Sequence, residues 1–127
     1  RHSPEVIMLG EIRDQETAKV AMEAAFSGHL VISTIHAKDT VNCLYRLQDL
    51  SVSLEEMRQM LKAVLSQRLI ETDEQGYKAV FEFLTDKQLQ SAIESIIEGH
   101  RFTLPYEQTI AGQKALLKGE GYEYTSH

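Results

Sequence analysis

The chain has 127 residues, enough for one domain or a core with a small appendage, and its 43% hydrophobic content is ordinary for a globular protein. Its 13 basic and 19 acidic residues give a formal net charge of −6, which argues against nucleic-acid binding through counterion release. The single cysteine, Cys43, excludes an internal disulfide and favours a reducing, cytoplasmic compartment, and no apolar stretch reaches the length of a membrane span.

The first 36 residues predict a strand, a helix and a second strand. The run Val6–Leu9 is apolar without alternation, which is typical of a strand buried on both faces of a parallel sheet. Asp14 is a candidate N-cap for a helix over Gln15–Phe26, and Gly28 suits the left-handed position that ends it. A strand over His29–Ile35 completes a βαβ unit, so both strands should be parallel and end at one edge of an α/β sheet. Because the chain starts without Met and enters this strand almost at once, we expect a fragment or a processed product.

The middle of the chain predicts two helices. Asp39 is a candidate N-cap for a helix over Thr40–Asp49. Ser53 and Glu56 form a capping-box pattern, and the apolar residues that follow predict an amphipathic helix from Leu54 to about Ser66.

A β-hairpin is predicted next, with strands over Gln67–Thr72 and Tyr77–Leu84 and a turn at Asp73–Gly76. The remaining predicted features are a helix that Thr85 and Gln88 cap and Gly99 ends, a last helix from Pro105 to Leu117, and a frayed tail from Tyr122 to His127.

Two charged residues follow the first predicted strand. Glu11 comes directly after a buried strand, where a carboxylate can hold Mg²⁺ through water or orient an attacking water; the alternative is a solvated turn residue. Arg13 has a fork geometry that matches phosphate, and its alternative is a surface ion pair with Asp14 or Glu16.

The second predicted strand carries two histidines. Seven residues of strand separate His29 from His36 by about 23 Å and turn them to opposite faces, so the two cannot share a metal ion. His36 lies at the edge near Glu11 and is the functional candidate, whereas His29 at the other edge suits a structural or interface role. The hydroxyls of Ser33 and Thr34 could contact a phosphate or a water, or could bond to nearby backbone.

A triphosphate-binding loop is missing from the sequence. No Gly-x-x-x-x-Gly-Lys pattern followed by Ser or Thr occurs, and Gly112-Gln113-Lys114 lies in a predicted helix with no strand before it. Any nucleotide site in this sequence would therefore contain only the residues that contact the metal ion and the attacking water.

Two adjacent motifs carry a family resemblance. The segment from Ser3 to Asp14, with Glu16-Thr17 after it, resembles the Walker B segment of the secretion traffic ATPases, the RecA-like hexameric motors of type II secretion, type IV pili and natural competence. The segment from Gly28 to His36 resembles their His box. The similarity continues through Gln67–Ile70 and the strand Val80–Leu84.

The resemblance implies roles for particular residues. Glu11 would be the Walker B glutamate, catalytic together with His36 and in contact with Mg²⁺ through water. Gly28, His29 and His36 would form the His box, and Gly10, Arg13 and Thr34 would be associated with ATP and Mg²⁺. The phosphate loop would lie upstream of Arg1, so ATP hydrolysis by these 127 residues alone is not expected. Many family members insert a four-cysteine zinc module after the segment that matches Gln67–Ile70. Since Glu71–Gly76 continues directly to the next strand without such an insertion, no zinc is expected.

The same resemblance implies the C-terminal portion of a RecA-like core over residues 1–72 and a hairpin and helical extension over 73–127. It implies a homo-hexameric ATPase that assembles a pseudopilus for competence DNA uptake or secretion. Its compact form, with Ala37-Lys38 after His36, is most similar to Gram-positive competence motors. The expected partner is an inner-membrane platform protein, reached from the cytoplasmic side without direct nucleic-acid contact. The alternative is that the isolated fragment is a non-catalytic oligomerisation or docking module.

Overall fold

The computed structural model describes residues 5–73 and 76–118 and shows a mixed α/β architecture. In chain order its elements are β1 (Val6–Met8), α1 (Gln15–Phe26), β2 (Leu30–Ile32), α2 (Thr40–Asp49), α3 (Leu54–Met60), β3 (Ala63–Thr72), β4 (Gly76–Thr85), α4 (Asp86–Ile97), a 3₁₀ turn (Tyr106–Gln108) and α5 (Ile110–Leu117).

The predicted βαβ unit is confirmed. Strands β1 and β2 pair in parallel, with Val6 opposite Leu30 and Met8 opposite Ile32, and α1 connects them. The regular ladder is shorter than predicted, because beyond Ile32 the two strands meet again only in an isolated bridge between Ile12 and Ile35.

The prediction that the strand over Val6–Leu9 is buried on both faces is wrong for this chain. Ile7 and Val31 are half-buried on one face, whereas the outward residues are exposed, Met8 by 77%. Burial on both faces of a parallel pair requires a packed layer on each face. The described residues cover only one face of this pair.

The ends of α1 follow local chemistry, as predicted. Asp14 Oδ1 accepts a hydrogen bond from the Thr17 backbone N–H at 2.8 Å, and the Thr17 hydroxyl accepts one from the Asp14 N–H. These donations from Thr17 hold the pKa of Asp14 below its usual value. Gly28 has a φ of 92°, the left-handed conformation expected just past the end of a helix.

The third helix is shorter than predicted. The Ser53–Glu56 capping box is present, but α3 ends at Met60, and Val64 and Leu65 belong to β3. Pairing with the strand β4 overrides the helical spacing of these apolar residues, because in a strand Val64 turns inward and Leu65 turns to solvent.

The predicted hairpin is confirmed and extends further than expected. All ten residues of β3 pair antiparallel with the ten of β4, from Ala63–Thr85 to Thr72–Gly76. Alternate residues divide the hairpin into two faces. The inner face carries the buried residues Val64, Ile70, Val80, Glu82 and Leu84, and the outer face carries the exposed Leu65, Leu69, Tyr77, Phe81 and Phe83.

The C-terminal helices depart from prediction at their starts. Thr85 is the N-cap residue of α4 but makes no side-chain cap bond, and Gln88 instead donates to Gln108 Oε1 at 3.0 Å. The last helix begins at Ile110 rather than Pro105, because the preceding residues form the 3₁₀ turn. Only glycine fits at Gly112, where an added Cβ would lie 1.9 Å from the Tyr106 carbonyl oxygen.

The predicted end of α4 is confirmed by Gly99, whose φ is 80°. The predicted tail, Tyr122 to His127, lies outside the described residues.

One apolar cluster joins the helices to the hairpin. Its largest fully buried members are Leu44, Met57, Leu84, Leu89 and Ile93, which come from both sides of the boundary between residues 72 and 73. The division into two units at that boundary stays a prediction. Cys43 lies in the same cluster, and burial raises the pKa of its thiol to about 11. Within the described part of the chain, no helix is long and apolar enough to cross a bilayer.

Candidate functional site

The candidate site forms where β1 and β2 end. Met8 is paired with Ile32, but the next pair is Ile12 with Ile35, so the first strand holds one residue more than the second in this interval. The two strands stay connected there, because the Leu9 N–H donates to the Ile32 carbonyl oxygen at 3.0 Å and the Ile12 N–H donates to that of Thr34 at 2.8 Å. An extra residue of this kind is a bulge, which redirects side chains beside functional sites. The extra residue lies in the stretch that contains Glu11.

Glu11 and His36 meet at this edge, as predicted. Glu11 Oε2 lies 3.5 Å from His36 Nε2, a distance that makes an ion pair when the imidazole is protonated. The Glu11 side chain is 39% exposed and that of His36 is 94% exposed. The pair is therefore open to water, and a carboxylate beside an imidazole can accept and hold a proton of a bound water.

Arg13 makes a surface ion pair with Asp14, one of the alternatives that the sequence offered to a phosphate contact. Its Nε lies 4.0 Å from Asp14 Oδ2, and its side chain is 69% exposed. Its backbone carbonyl oxygen accepts a hydrogen bond from Arg46 Nη2 of α2 at 3.5 Å. An exposed ion pair at this distance contributes little to stability, so the guanidinium can turn to an anion.

His29 is remote from this edge, as predicted. Its Nδ1 lies 3.1 Å from the Ala24 carbonyl oxygen, and its Nε2 lies 3.7 Å from Glu5 Oε1. The first contact ties the start of β2 to the last turn of α1. Residues 5–73 and 76–118 hold no group of three or more His, Cys, Asp or Glu side chains placed to bind a metal ion.

The two hydroxyl residues at the end of β2 differ. Thr34 Oγ1 donates to the Gly10 carbonyl oxygen at 2.8 Å, which is the backbone alternative left open by the sequence. Ser33 Oγ is buried and has no hydrogen-bond partner among the described residues.

The sequence did not single out Glu82, which lies on the inner face of the hairpin and is 3% exposed. Its Oε2 accepts from the backbone N–H of Thr40 at 2.9 Å and from the Thr40 hydroxyl, and its Oε1 accepts from the Ile110 N–H at 3.1 Å. A signal was present, because the alternation that puts Val80 and Leu84 inside also puts Glu82 inside.

Comparison with known proteins identifies the family. The profile of the family described as "Type II/IV secretion system protein" matches residues 1–105. The chain belongs to that family. Among curated relatives, the competence protein ComGA of Bacillus subtilis is 35% identical over 79% of this chain and 33% of its own length. The type IV pilus assembly ATPase PilB of Thermus thermophilus is 50% identical over 55% of this chain and 8% of its own length.

Solved structures confirm the predicted fold class. The pilus retraction motor PilT with bound ADP is 26% identical, with a TM-score of 0.62 over 77% of this chain and 33% of that one. The ATPase DotB of Legionella pneumophila is 29% identical, with a TM-score of 0.62 over 89% of this chain and 31% of that one. The fold is that of RecA-like secretion ATPases. The chain spans a third or less of the length of each of these relatives.

Proposed function

We propose that this chain is the Walker B and His-box part of a hexameric traffic ATPase, which uses ATP hydrolysis to assemble a type IV pilus-like pseudopilus for competence DNA uptake or secretion. The contact between Glu11 and His36 at the carboxyl edge of β1 and β2 carries the proposal. The names of ComGA and PilB support the competence and pilus settings.

The residues present fit one side of a Mg-ATP site. Glu11 is a single, partly exposed carboxylate, so it suits a contact to Mg²⁺ through water rather than a complete ligand set. Mg²⁺ bound with ATP would supply charge neutralisation at the phosphates. Glu11 orients the attacking water and accepts its hydrogen bond, His36 holds the Glu11 carboxylate, and Arg13 offers a cation to phosphate. Gly10 and Thr34 fix the backbone beside them through their own hydrogen bond.

The setting proposed for the longer protein follows from the same family. It is a homo-hexamer on the cytoplasmic side of the inner membrane, peripheral to it, and its partner is the platform protein of the pilus or secretion apparatus. Residues 1–72 belong to the ATPase core and residues 73–127 to an extension. The acidic balance of 13 basic against 19 acidic residues does not favour direct contact with DNA.

A second candidate is a non-catalytic oligomerisation or docking module, which applies to the 127 residues in isolation. The exposed outer residues of β1, β2 and the hairpin favour it, since apolar sheet faces of this kind mark surfaces of association.

Isothermal titration calorimetry of Mg-ATP into the purified 127-residue chain tests whether the isolated chain contains a phosphate site. We expect binding no tighter than about 1 mM, roughly −4 kcal/mol, because the chain lacks the phosphate loop whose N–H groups and lysine supply most phosphate contacts. The full-length protein is the positive control. A micromolar dissociation constant for the isolated chain, about −8 kcal/mol, would show that the phosphate site lies within it.

Alanine substitution of each histidine tests the site assignment in the full-length protein. His36→Ala should lower ATP turnover by about tenfold or more, because its imidazole faces the Glu11 carboxylate. His29→Ala removes the contact to Ala24 and should change the oligomeric state more than the turnover of assembled hexamers. ATPase assays and analytical ultracentrifugation measure the two effects. Equal loss of turnover in both variants at normal assembly would contradict the assignment.

A further inference from the structure

The loop that carries His36 is held by backbone contacts and by the side chains of Ile35 and Ala37, which pack against the apolar cluster on either side of the histidine. The His36 side chain is 94% exposed and its one described contact is with Glu11, so packing does not fix the position of the imidazole. Only three residues, 37–39, separate His36 from the start of α2 at Thr40. The backbone on both sides of His36 therefore sets where its ring can lie.

The hairpin fixes the far side of this loop at two points. Arg68 Nη2 donates to the Lys38 carbonyl oxygen at 2.7 Å. Glu82 Oε2 accepts from both the backbone N–H and the hydroxyl of Thr40, which is fully buried. On the near side, Ile35 is paired with Ile12.

Glu82 has a second partner at the start of another helix. Its Oε1 accepts from the N–H of Ile110, the first residue of α5. Asp39 Oδ1 accepts from the N–H of Asn42 in α2, and Thr109 Oγ1 accepts from the N–H of Gly112 in α5, so Glu82 adds a further cap to each helix. The Thr40 N–H, the Thr40 hydroxyl and the Ile110 N–H all donate to Glu82. Both helix N-termini also carry positive partial charge, which suits a buried carboxylate.

We infer that Glu82 is a positioning residue for the proposed ATPase site, which links the start of α5 to the loop of His36. The inference rests on the proposed function, since Glu82 would affect ATP turnover only through the position of His36. The carboxylate fixes Thr40, Thr40 fixes the end of the three-residue loop, and the loop places the His36 imidazole opposite Glu11. A displacement of α5 would reach His36 by the same route.

Substitution of Glu82 in the full-length protein tests this role. Glu82→Gln keeps the shape but replaces one acceptor oxygen by a donor NH₂ group that faces N–H or O–H groups. We expect kcat to fall about tenfold or more, with the dissociation constant for nucleotide changed by less than about threefold, because the loss is in placement and not in nucleotide binding. Hydrogen exchange of the backbone N–H groups of residues 37–40 should become faster.

A pair of variants isolates the α5 arm of the link. Ile110→Pro removes the N–H that donates to Glu82 Oε1. Proline is favoured at this first position of a helix, and Thr109 before it has a φ of −80° and a ψ of 159°, which suit a residue that precedes proline. Ile110→Ala removes most of the side chain but keeps the N–H. We expect Ile110→Pro to speed exchange at residues 37–40 and to lower kcat several-fold relative to Ile110→Ala.

A core variant, Ile93→Val in α4, controls for general loss of stability. If Glu82→Gln lowers the melting temperature as Ile93→Val does, but leaves both kcat and loop exchange at wild-type values, Glu82 is only structural and the inference is overturned. If the wild-type protein does not hydrolyse ATP, the proposed function fails. Loop exchange then decides the link by itself, since faster exchange supports it and unchanged exchange overturns it.

Discussion

Glu11→Gln in the full-length protein is expected to lower ATP turnover by about 10²- to 10⁴-fold, roughly 3 to 5 kcal/mol of transition-state stabilisation. The substitution keeps the shape of the side chain and removes the charge that, in the proposed mechanism, orients water beside His36. Nucleotide should still bind, because losing an interaction made mainly in the transition state need not weaken ground-state binding. Steady-state ATPase assays and nucleotide titrations on the same preparation measure both quantities.

A matched control for this prediction is Glu23→Gln. Glu23 is an exposed acidic residue of α1 outside the segment that resembles Walker B, so the substitution makes the same change of charge without touching the Glu11–His36 pair. Its turnover should stay within about twofold of wild type. Near-normal turnover in Glu11→Gln, or loss of folding and nucleotide binding together, would make Glu11 a structural carboxylate.

Leu84→Ala in the 127-residue chain is expected to lower the free energy of unfolding by about 2 to 5 kcal/mol. Leu84 is fully buried on the inner face of β4, so truncation removes apolar contacts and leaves a cavity in the cluster between helices and hairpin. Denaturant unfolding followed by circular dichroism measures the change.

The neighbouring residue Phe83 provides the control. It lies on the outer face of the same strand and is 56% exposed, so Phe83→Ala should cost less than about 1 kcal/mol, although it removes a larger side chain. An equal or greater loss for Phe83→Ala would mean that the outer face of the hairpin is packed in this chain and would contradict the assignment of faces.

The candidate site was predictable in part. The common edge of Glu11 and His36 followed from the crossover rule, since two strands joined by one helix run parallel and end together. The bulge before Ile12 did not follow, because a shift of one residue in strand register leaves no mark in local composition. Glu82 was missed because a carboxylate is expected to face solvent unless buried hydrogen-bond donors for it are known.

The features that local hydrogen bonds specify could be predicted from the sequence. The bounds of α1 follow from Asp14, Thr17 and Gly28, and the start of α2 follows from Asp39, because caps act within a few residues of the chain. Tertiary structure sets the end of α3 at Met60, since the pairing of Val64 with Leu84 joins residues twenty apart and turns a helical apolar pattern into an alternating one. It also decided the burial of Glu82, because its donors, Thr40 and Ile110, lie 42 and 28 residues away in sequence.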